Sequence, residues 1–322
     1  MVDLQVMNPH PSGTRRPRFR RVEPRPFLIT PRDIDIIRIV WRHRFLRSTH
    51  IVELLAASPP PLLRRLQLLY HGGFLDRPRT QIDYFALAGS KPMVYGLGNR
   101  GADLLAERFG VARERVDWTA KNRSVSPVFL EHTLLIADVM VGFELACRAH
   151  GRIRIISPGT IARSAPGADR SGAAPLQWTV DVRHEGKRVP IGVIPDKIFG
   201  LHFLDEPEGR NRSYFFLEAD RGTMPVVRKT LERTSFHRKL LAYRETWRQG
   251  LHTKHFGFRA FRVLTVTSGA DRCRNVLQAA KDVVDGHASG LFLFTDRAAL
   301  VGKNVLEMPW LRPGLSPASL LG

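Results

Sequence analysis

Cysteine is nearly absent: Cys147 and Cys273 are the only two in 322 residues, and neither sits in a CxxC or Cys/His spacing. That excludes a zinc finger and a disulfide framework and leaves two reduced structural thiols. Also missing is any apolar run of 18 residues, so no membrane-spanning helix is expected. No glycine-rich loop precedes a Lys-Ser or Lys-Thr pair, which argues against Walker-type nucleotide chemistry. Tyrosine is scarce, five residues with no clustered histidine triplet. A relaxase that cuts through tyrosine beside a histidine-bound metal is therefore set aside. His252 and His255 are spaced like helix neighbours but lack an evident third ligand, and read as surface or phosphate contacts. Acids are also in short supply, with 30 Asp and Glu against 50 Lys and Arg and a formal charge of +20. An excess of that size points to a polyanionic partner. Nucleic acid comes before anionic membrane, because no basic amphipathic helix stands isolated at a terminus. The arginines from Arg15 to Arg25 are followed by charged helical sequence instead of an apolar core, so the expected location is the cytoplasm.

The positive charge is densest early in the chain. Residues 1–123 hold 22 basic and 11 acidic residues, a net of +11, and residues 124–322 hold 28 and 19, a net of +9. In the first stretch Arg15, Arg16, Arg18, Arg20, Arg21 and Arg25 alternate with Pro17 and Pro24. Such a segment has no core to fold around and is expected to be a disordered arm, suited to tracking phosphates when bound or to simple solvation. Order begins at Thr30-Pro31-Arg32-Asp33, a helix start with Thr30 as N-cap and Pro31 in the first turn. Ile34, Ile37, Trp41 and Phe45 then recur at helical spacing. A second helix opens at Ser48-Thr49, and a third follows Ser58, turning Leu62, Leu63, Leu66, Leu69 and Tyr70 inward. That third helix ends at His71-Gly72-Gly73. Phe74 to Arg79 and Met93 to Leu97 read as an antiparallel pair, and a fourth helix opens near Asn99-Arg100-Gly101. Three helices, a two-stranded wing and a closing helix make a winged helix-turn-helix. In that architecture Arg64, Arg65 and Gln67 of the third helix are candidates for base edges or phosphates. Arg77, Arg79 and Lys91 are the wing candidates, with Arg18, Arg20 and Arg21 from the arm. The same fold can instead dock protein, with these arginines merely solvated.

After a polar linker at 111–126 a long helix runs from Val128 to His150. Strand-like segments follow at 152–156, 178–183, 189–198 and 213–220, then a basic helix from about Val226 to Trp247. Strand, helix and strand complete the order at 258–267, 270–284 and 291–295, and a flexible tail is expected after 300. Acids stand out in two of these runs, Ile191-Gly192-Val193-Ile194-Pro195-Asp196 and Tyr214-Phe215-Phe216-Leu217-Glu218-Ala219-Asp220. Strand alternation puts Glu218 and Asp220 on one face and Phe215, Leu217 and Ala219 on the other. Pairing of the two strands brings three carboxylates together, and an unpaired buried carboxylate costs several kcal/mol. A hard divalent cation, magnesium or manganese, resolves that cost, and so do arginine partners at the strand ends.

The order of elements and the acids resemble the restriction-endonuclease-like PD-(D/E)xK fold, with Pro195-Asp196 as its first element and Glu218 as the second acid. The resemblance implies an α/β class, α+β over the whole chain. The domains expected are an arm at 1–29, a winged helix-turn-helix at 30–110, a linker at 111–126, a nuclease-like mixed-sheet domain at 127–300 and a tail at 301–322. It also implies Asp196, Glu218 and Asp220 as metal ligands, with Glu131 of the leading helix as a fourth oxygen donor and His132 beside it as a satisfied histidine. One departure matters: position 220 should be lysine and is Asp220. The missing cation could come from Arg221, Lys229, Arg233 or Lys239, and Lys239 shares a helix face with Tyr243. Val94-Tyr95-Gly96-Leu97, Arg100-Gly101, Glu131-His132-Thr133-Leu134, Pro195-Asp196 and Glu218-Ala219-Asp220-Arg221-Gly222-Thr223 with Lys239 and Tyr243 together resemble the replication-relaxation family of plasmid and mobile-element proteins. That likeness spans about residues 30–295, and in it Asp220 belongs to the family's own pattern. It implies a DNA-binding protein of plasmid replication or DNA relaxation, with DNA, as duplex, for a partner, while the nuclease-like resemblance is what implies a magnesium- or manganese-dependent endonuclease centre of Asp196, Glu218, Asp220 and Lys239. Further partners in view are a second copy of the chain or replication and mobilisation proteins. The alternatives are a non-catalytic replication accessory factor and a winged-helix transcriptional regulator.

Overall fold

Thr30 and Asp33 cap the first helix reciprocally. The Thr30 hydroxyl accepts from the Asp33 amide at 3.3 Å, and the Asp33 carboxylate accepts from the Thr30 amide at 2.7 Å. The computed structural model describes residues 18–23, 26–82, 91–113, 116–166, 168, 176–184, 186–284 and 290–321. Arg15, Arg16 and Arg25 of the expected arm lie outside them. The chain divides into two compact units, one built principally from the chain up to Ser126 and the other from Pro127 onward. No helix among the described residues is long and apolar enough to cross a membrane.

The first unit runs α1 (Pro31–His43), β1 (Phe45–Arg47), α2 (Ser48–Leu54), α3 (Pro59–His71), β2 (Leu75–Asp76), β3 (Val94–Leu97), α4 (Asn99–Phe109) and α5 (Trp118–Arg123). Its three strands are antiparallel in the order β1-β3-β2. Strand β1 replaces the expected last turn of the first helix. Arg44 adopts φ 68°, which turns the chain out of the helix, so Phe45 enters the sheet. The buried face is correspondingly Asp33, Ile36, Ile37, Val40 and His43, and Trp41 is left 44% exposed. Gly101 has no room for a side chain, since a Cβ there would sit 2.2 Å from the Phe74 carbonyl oxygen. The expected linker holds a helix of its own: Asp117 caps α5, and Asn122 is fully buried, accepting from Arg44 at 2.7 Å and donating to the Leu97 carbonyl at 2.9 Å.

The second unit begins with α6 (Pro127–His150), β4 (Ile153–Ile156), α7 (Pro158–Ser164), β5 (Trp178–His184), β6 (Lys187–Val193), β7 (Lys197–Phe203) and β8 (Arg212–Asp220). It continues with α8 (Phe236–Arg248), α9 (Leu251–Phe256), β9 (Arg262–Thr267), α10 (Ala270–Val283), β10 (Phe292–Asp296), α11 (Arg297–Leu300), β11 (Trp310–Arg312) and β12 (Leu315–Ala318). Seven strands form a mixed sheet in the order β12-β11-β10-β9-β8-β7-β4. Its centre, β8-β9-β10, is parallel and both flanks are antiparallel. Helix α6 covers one face, packing Val139, Phe143 and Cys147 on Phe199, Phe215, Leu217 and Leu264. The other face carries Phe216, Val263 and Phe292 against α8, α10 and the separate β5–β6 hairpin. The class is α/β, with a mixed sheet between helical layers.

Three expected boundaries move. The run 189–198 is two strands, because Ile194-Pro195 breaks it: β6 pairs with β5 outside the main sheet and β7 enters the sheet beside β8. The basic helix starts at Phe236, where the Ser235 hydroxyl accepts from the Arg238 amide at 3.2 Å, and not at Val226. The tail closes the sheet: Trp310 is fully buried and its indole N–H donates to the Val305 carbonyl at 3.0 Å, with Leu306 and Leu320 beside it in the core. Burial pushes both thiols, Cys147 and Cys273, up to about 11, in keeping with inert core positions.

Candidate functional site

Alternation along β8 sends Phe215, Leu217 and Ala219 to the α6 side and leaves Glu218 and Asp220 facing the α8 layer. The antiparallel register sets Lys197 opposite Leu217, which carries Asp196 to the level of Glu218. Asp196 is fixed there by the Ala219 amide, which donates to it at 2.8 Å, and by His132 at 3.1 Å. Lys239 and Tyr243, one turn apart on α8, both reach Glu218. The ammonium donates to one carboxylate oxygen and the phenol to the other, each at 2.5 Å. Glu218 is 2% exposed. A cavity of about 170 Å³ opens on the pair, lined also by Ser235, Arg238 and Met224.

The charges in this cluster are coupled. Burial raises the Glu218 pKa against the opposing pull of Lys239, and the neighbouring Asp196 charge adds to the rise. Burial works against the Lys239 charge, yet Glu218 and Asp196 outweigh it and raise that pKa. For Asp196, burial is outweighed by the His132 hydrogen bond and the Lys239 charge, and the pKa is lowered. Burial and Glu218 drive the Tyr243 phenol well above its usual value, so it stays a donor. The Asp196 hydrogen bond raises His132 above its ordinary range despite partial burial. A raised folded-state pKa stabilises the fold fully below the unfolded histidine value, near 6.5, and that contribution is lost as pH rises through the folded value. An imidazole titration by NMR should therefore place His132 above 6.5 in the wild type and return it toward that value in Asp196→Asn. An unshifted His132 in the wild type would break the pairing.

Asp220 is drawn elsewhere. Arg272, from the first turn of α10, donates to both of its carboxylate oxygens, at 2.6 and 3.3 Å, and also to the Met224 carbonyl at 2.6 Å. Asp220 further accepts from the Gly222 amide at 3.0 Å, where Gly222 takes φ 77°. It thus pins the turn after β8, a role that an aspartate serves and a lysine does not. Arg272 had no local signal in the sequence. The βα unit supplies one, because β9 runs parallel to β8 and so places the start of α10 at the acid-bearing end of β8. Of the other cations considered, Arg221 donates to the Val128 carbonyl at 2.6 Å, and Lys229 and Arg233 are exposed in irregular chain ahead of α8.

Four acids were expected around a metal, and the fold brings two together. Glu131 is exposed on α6 and Asp220 is held by Arg272. Among the described residues no group of three or more His, Cys, Asp or Glu is placed to hold an ion. Asp196 and Glu218 remain, a neighbouring pair of carboxylates of which Glu218 lines the cavity. Magnesium commonly binds through one or two carboxylates plus substrate phosphates, so the pair is the one that could supply protein oxygens to a magnesium or manganese ion arriving with a phosphodiester. It does not make a protein-only cage.

The DNA-binding candidates of the first unit separate into two groups. Arg65 is a structural ion pair, donating to the fully buried Asp33 at 2.5 Å and to the Leu28 carbonyl. Arg77 is buried as well, donating to the Arg18 carbonyl at 2.7 Å and the Tyr95 hydroxyl at 3.0 Å, with Tyr70 and Tyr95 rings against its guanidinium. Arg21, expected on a disordered arm, is half-buried and bonds Asp76 and the carbonyls of Tyr70 and Leu75. Arg64, Gln67, Arg79 and Lys91 are exposed, as are Arg18 and Arg20. The centre of the β2–β3 connection, 83–90, lies outside the described residues. Of the histidines read as surface contacts, His255 is exposed but His252 is buried, its ring within 3.4 Å of the Thr246 carbonyl.

No curated protein and no solved structure matches the chain. A sequence profile described as replication-relaxation matches residues 37–260, well over half of its length. That span takes in the later half of α1, the paired acids Asp196 and Glu218, the Asp220 turn, and Lys239 with Tyr243, so elements of both units fall inside one pattern and the chain belongs to the replication-relaxation family.

Proposed function

We propose that the chain binds duplex DNA in the replication or relaxation of plasmids or other mobile elements, and that Asp196, Glu218 and Lys239 form a phosphodiesterase centre that nicks it. The observation that supports this most is Lys239: α8 delivers an ammonium group 2.5 Å from Glu218, the positive charge that position 220 lacks. The order of sheet and helices around it accords with a nuclease-like domain. The order helix, strand, two helices, two strands and helix in the first unit accords with a winged helix whose Arg64, Gln67 and Arg79 face solvent.

Each side chain has a task in this reading. Lys239 sets a positive field where charge develops on the phosphoryl oxygens, and Tyr243 holds Glu218 in place for it. His132 and the Ala219 amide orient Asp196. A bound magnesium or manganese ion, held by Asp196 and Glu218, would polarise the phosphodiester and ease deprotonation of an attacking water. The test uses purified protein with supercoiled plasmid and either metal. Wild type should convert the plasmid to open circle, and Asp196→Asn or Glu218→Gln should lose about a hundredfold or more in rate while still retarding DNA on a gel. A second reading, a non-catalytic accessory factor, is favoured by the full engagement of both Glu218 oxygens and of Asp220. Retardation of a plasmid that stays supercoiled with both metals would select it.

A further inference from the structure

A second opening in this unit lies at the other end of β8. It is a groove of about 1140 Å³ between the start of β8, the start of β9 and the end of α8. Arg212 and Tyr214 share a strand face with Glu218, and the four residue steps from Tyr214 to Glu218 put about 13 Å of strand between groove and carboxylates. Four arginines line the groove, Arg212, Arg244, Arg259 and Arg262, against one carboxylate, Glu208. Arg244 is committed to the Val283 carbonyl at 2.6 Å and to Glu245. Arg259 reaches the Gly209 carbonyl at 3.3 Å. Arg212 and Arg262 are exposed and have no carboxylate partner among the described residues. Cations that so outnumber the acids beside them repel one another and attract an anionic ligand.

Aromatic rings stand among these charges. Trp247, at the end of α8, lines the groove and is 54% exposed, an unusual position for an indole in a chain with so large a core. Tyr214 is stacked on Phe258, with ring centroids 3.8 Å apart and planes 13° from parallel, so the wall behind it is flat and rigid. Arginines that follow a phosphate backbone, interleaved with flat rings that take bases, are the pattern of single-strand recognition. A duplex presents phosphates to the arginines but keeps its base faces stacked away from the indole.

We infer that this groove holds one strand of nucleic acid, with Arg212 and Arg262 on phosphates and Trp247 stacked on a base. The inference does not depend on cleavage at Glu218. A strand released by opening or nicking a duplex is the substrate the groove would take. The test is fluorescence anisotropy with the full chain, using a labelled oligothymidylate of about 20 nucleotides at low salt and a hairpin-free duplex of the same length. Trp247→Ala, and separately the pair Arg212→Ala with Arg262→Ala, should each weaken oligothymidylate binding about tenfold, the size of losing one stacked base or its phosphates. Duplex affinity should change less than about twofold, and Trp247→Phe should keep most of the single-strand affinity. Three results overturn the proposal: unchanged oligothymidylate affinity in both variants, equal losses on duplex and single strand, or displacement of the strand by polyglutamate as readily as by unlabelled oligothymidylate. Thermal unfolding of each variant at the wild-type midpoint separates these results from loss of fold.

Discussion

Arg65→Ala should lower the stability of the first unit by about 3 kcal/mol, the lower end of the range for removing one partner of a buried ion pair. Asp33 carries the effect. Its carboxylate is fully buried and receives the Thr30 amide, the Thr30 hydroxyl and the Arg65 guanidinium. Burial opposes its charge, but the Arg65 and Thr30 hydrogen bonds outweigh burial and lower its pKa. A depressed carboxylate stabilises the fold above its unfolded value, near 3.9, and the contribution is lost as pH falls through the folded value. Without Arg65 the charge stays buried with only Thr30 to hold it. Arg65 retains some contact with water, 23% for its side chain, which screens part of the pair and keeps the expected loss at the lower end. Urea unfolding at neutral pH should show the loss in Arg65→Ala, while Arg64→Ala, a change at a solvated position, should stay within about 0.5 kcal/mol of wild type. If Arg65→Ala unfolds like wild type and loses DNA affinity instead, Arg65 belongs to the DNA-contacting surface.

The same residue marks how far the sequence could be read. Helical spacing located α3 and its inner stripe of Leu62, Leu66, Leu69 and Tyr70, because burial of one helix face is written into the order of apolar residues. Which outward arginine meets solvent and which meets an acid 32 positions earlier is not, since long-range ion pairs leave no local pattern. Arg272 escaped for the same reason, and Arg77 because its partners, the Arg18 carbonyl and the Tyr95 hydroxyl, are also distant in sequence. Strand β1 was hidden because Phe45 falls at the next helical position after Trp41, and the turn that removes it comes from a non-glycine residue, Arg44, at positive φ. Strands β11 and β12 are three and four residues long, too short to show alternation, so buried Trp310 looked like part of a tail. The acids were legible as a cluster because Glu218 lies in an otherwise apolar strand. Their division was not: one oxygen-rich pair with Lys239, and Asp220 apart with Arg272, depend on the meeting of β7, β8, α8 and α10.

Lys239→Met should cost the second unit about 2–3 kcal/mol at neutral pH, because it leaves the Glu218 carboxylate buried with no cation beside it. The lower part of that range is expected because the Lys239 side chain keeps 34% exposure, and the surrounding water already screens some of the attraction. The penalty should depend on pH in a direction the structure fixes. Burial already raises the Glu218 pKa, and Lys239 is the largest influence holding it down. Removing the ammonium raises it further, so the folded variant keeps a proton on Glu218 at pH values where the unfolded chain, titrating near 4.3, has lost it. Stability from such a raised acid is greatest below the unfolded value and falls as pH rises through the folded one. Urea midpoints measured at pH 5 and pH 8 should therefore lie closer to wild type at pH 5. Adding Glu218→Gln to Lys239→Met removes the buried charge, and the double variant should recover most of the neutral-pH loss, an interaction that a double-mutant cycle reads directly. The two changes part company on DNA. If the cluster is a phosphodiesterase centre, stability returns in the double variant while nicking does not, because the amide offers a metal no carboxylate and the thioether supplies no positive field. If the cluster is only a buried ion pair, the double variant should behave like wild type in every DNA assay as well as in urea.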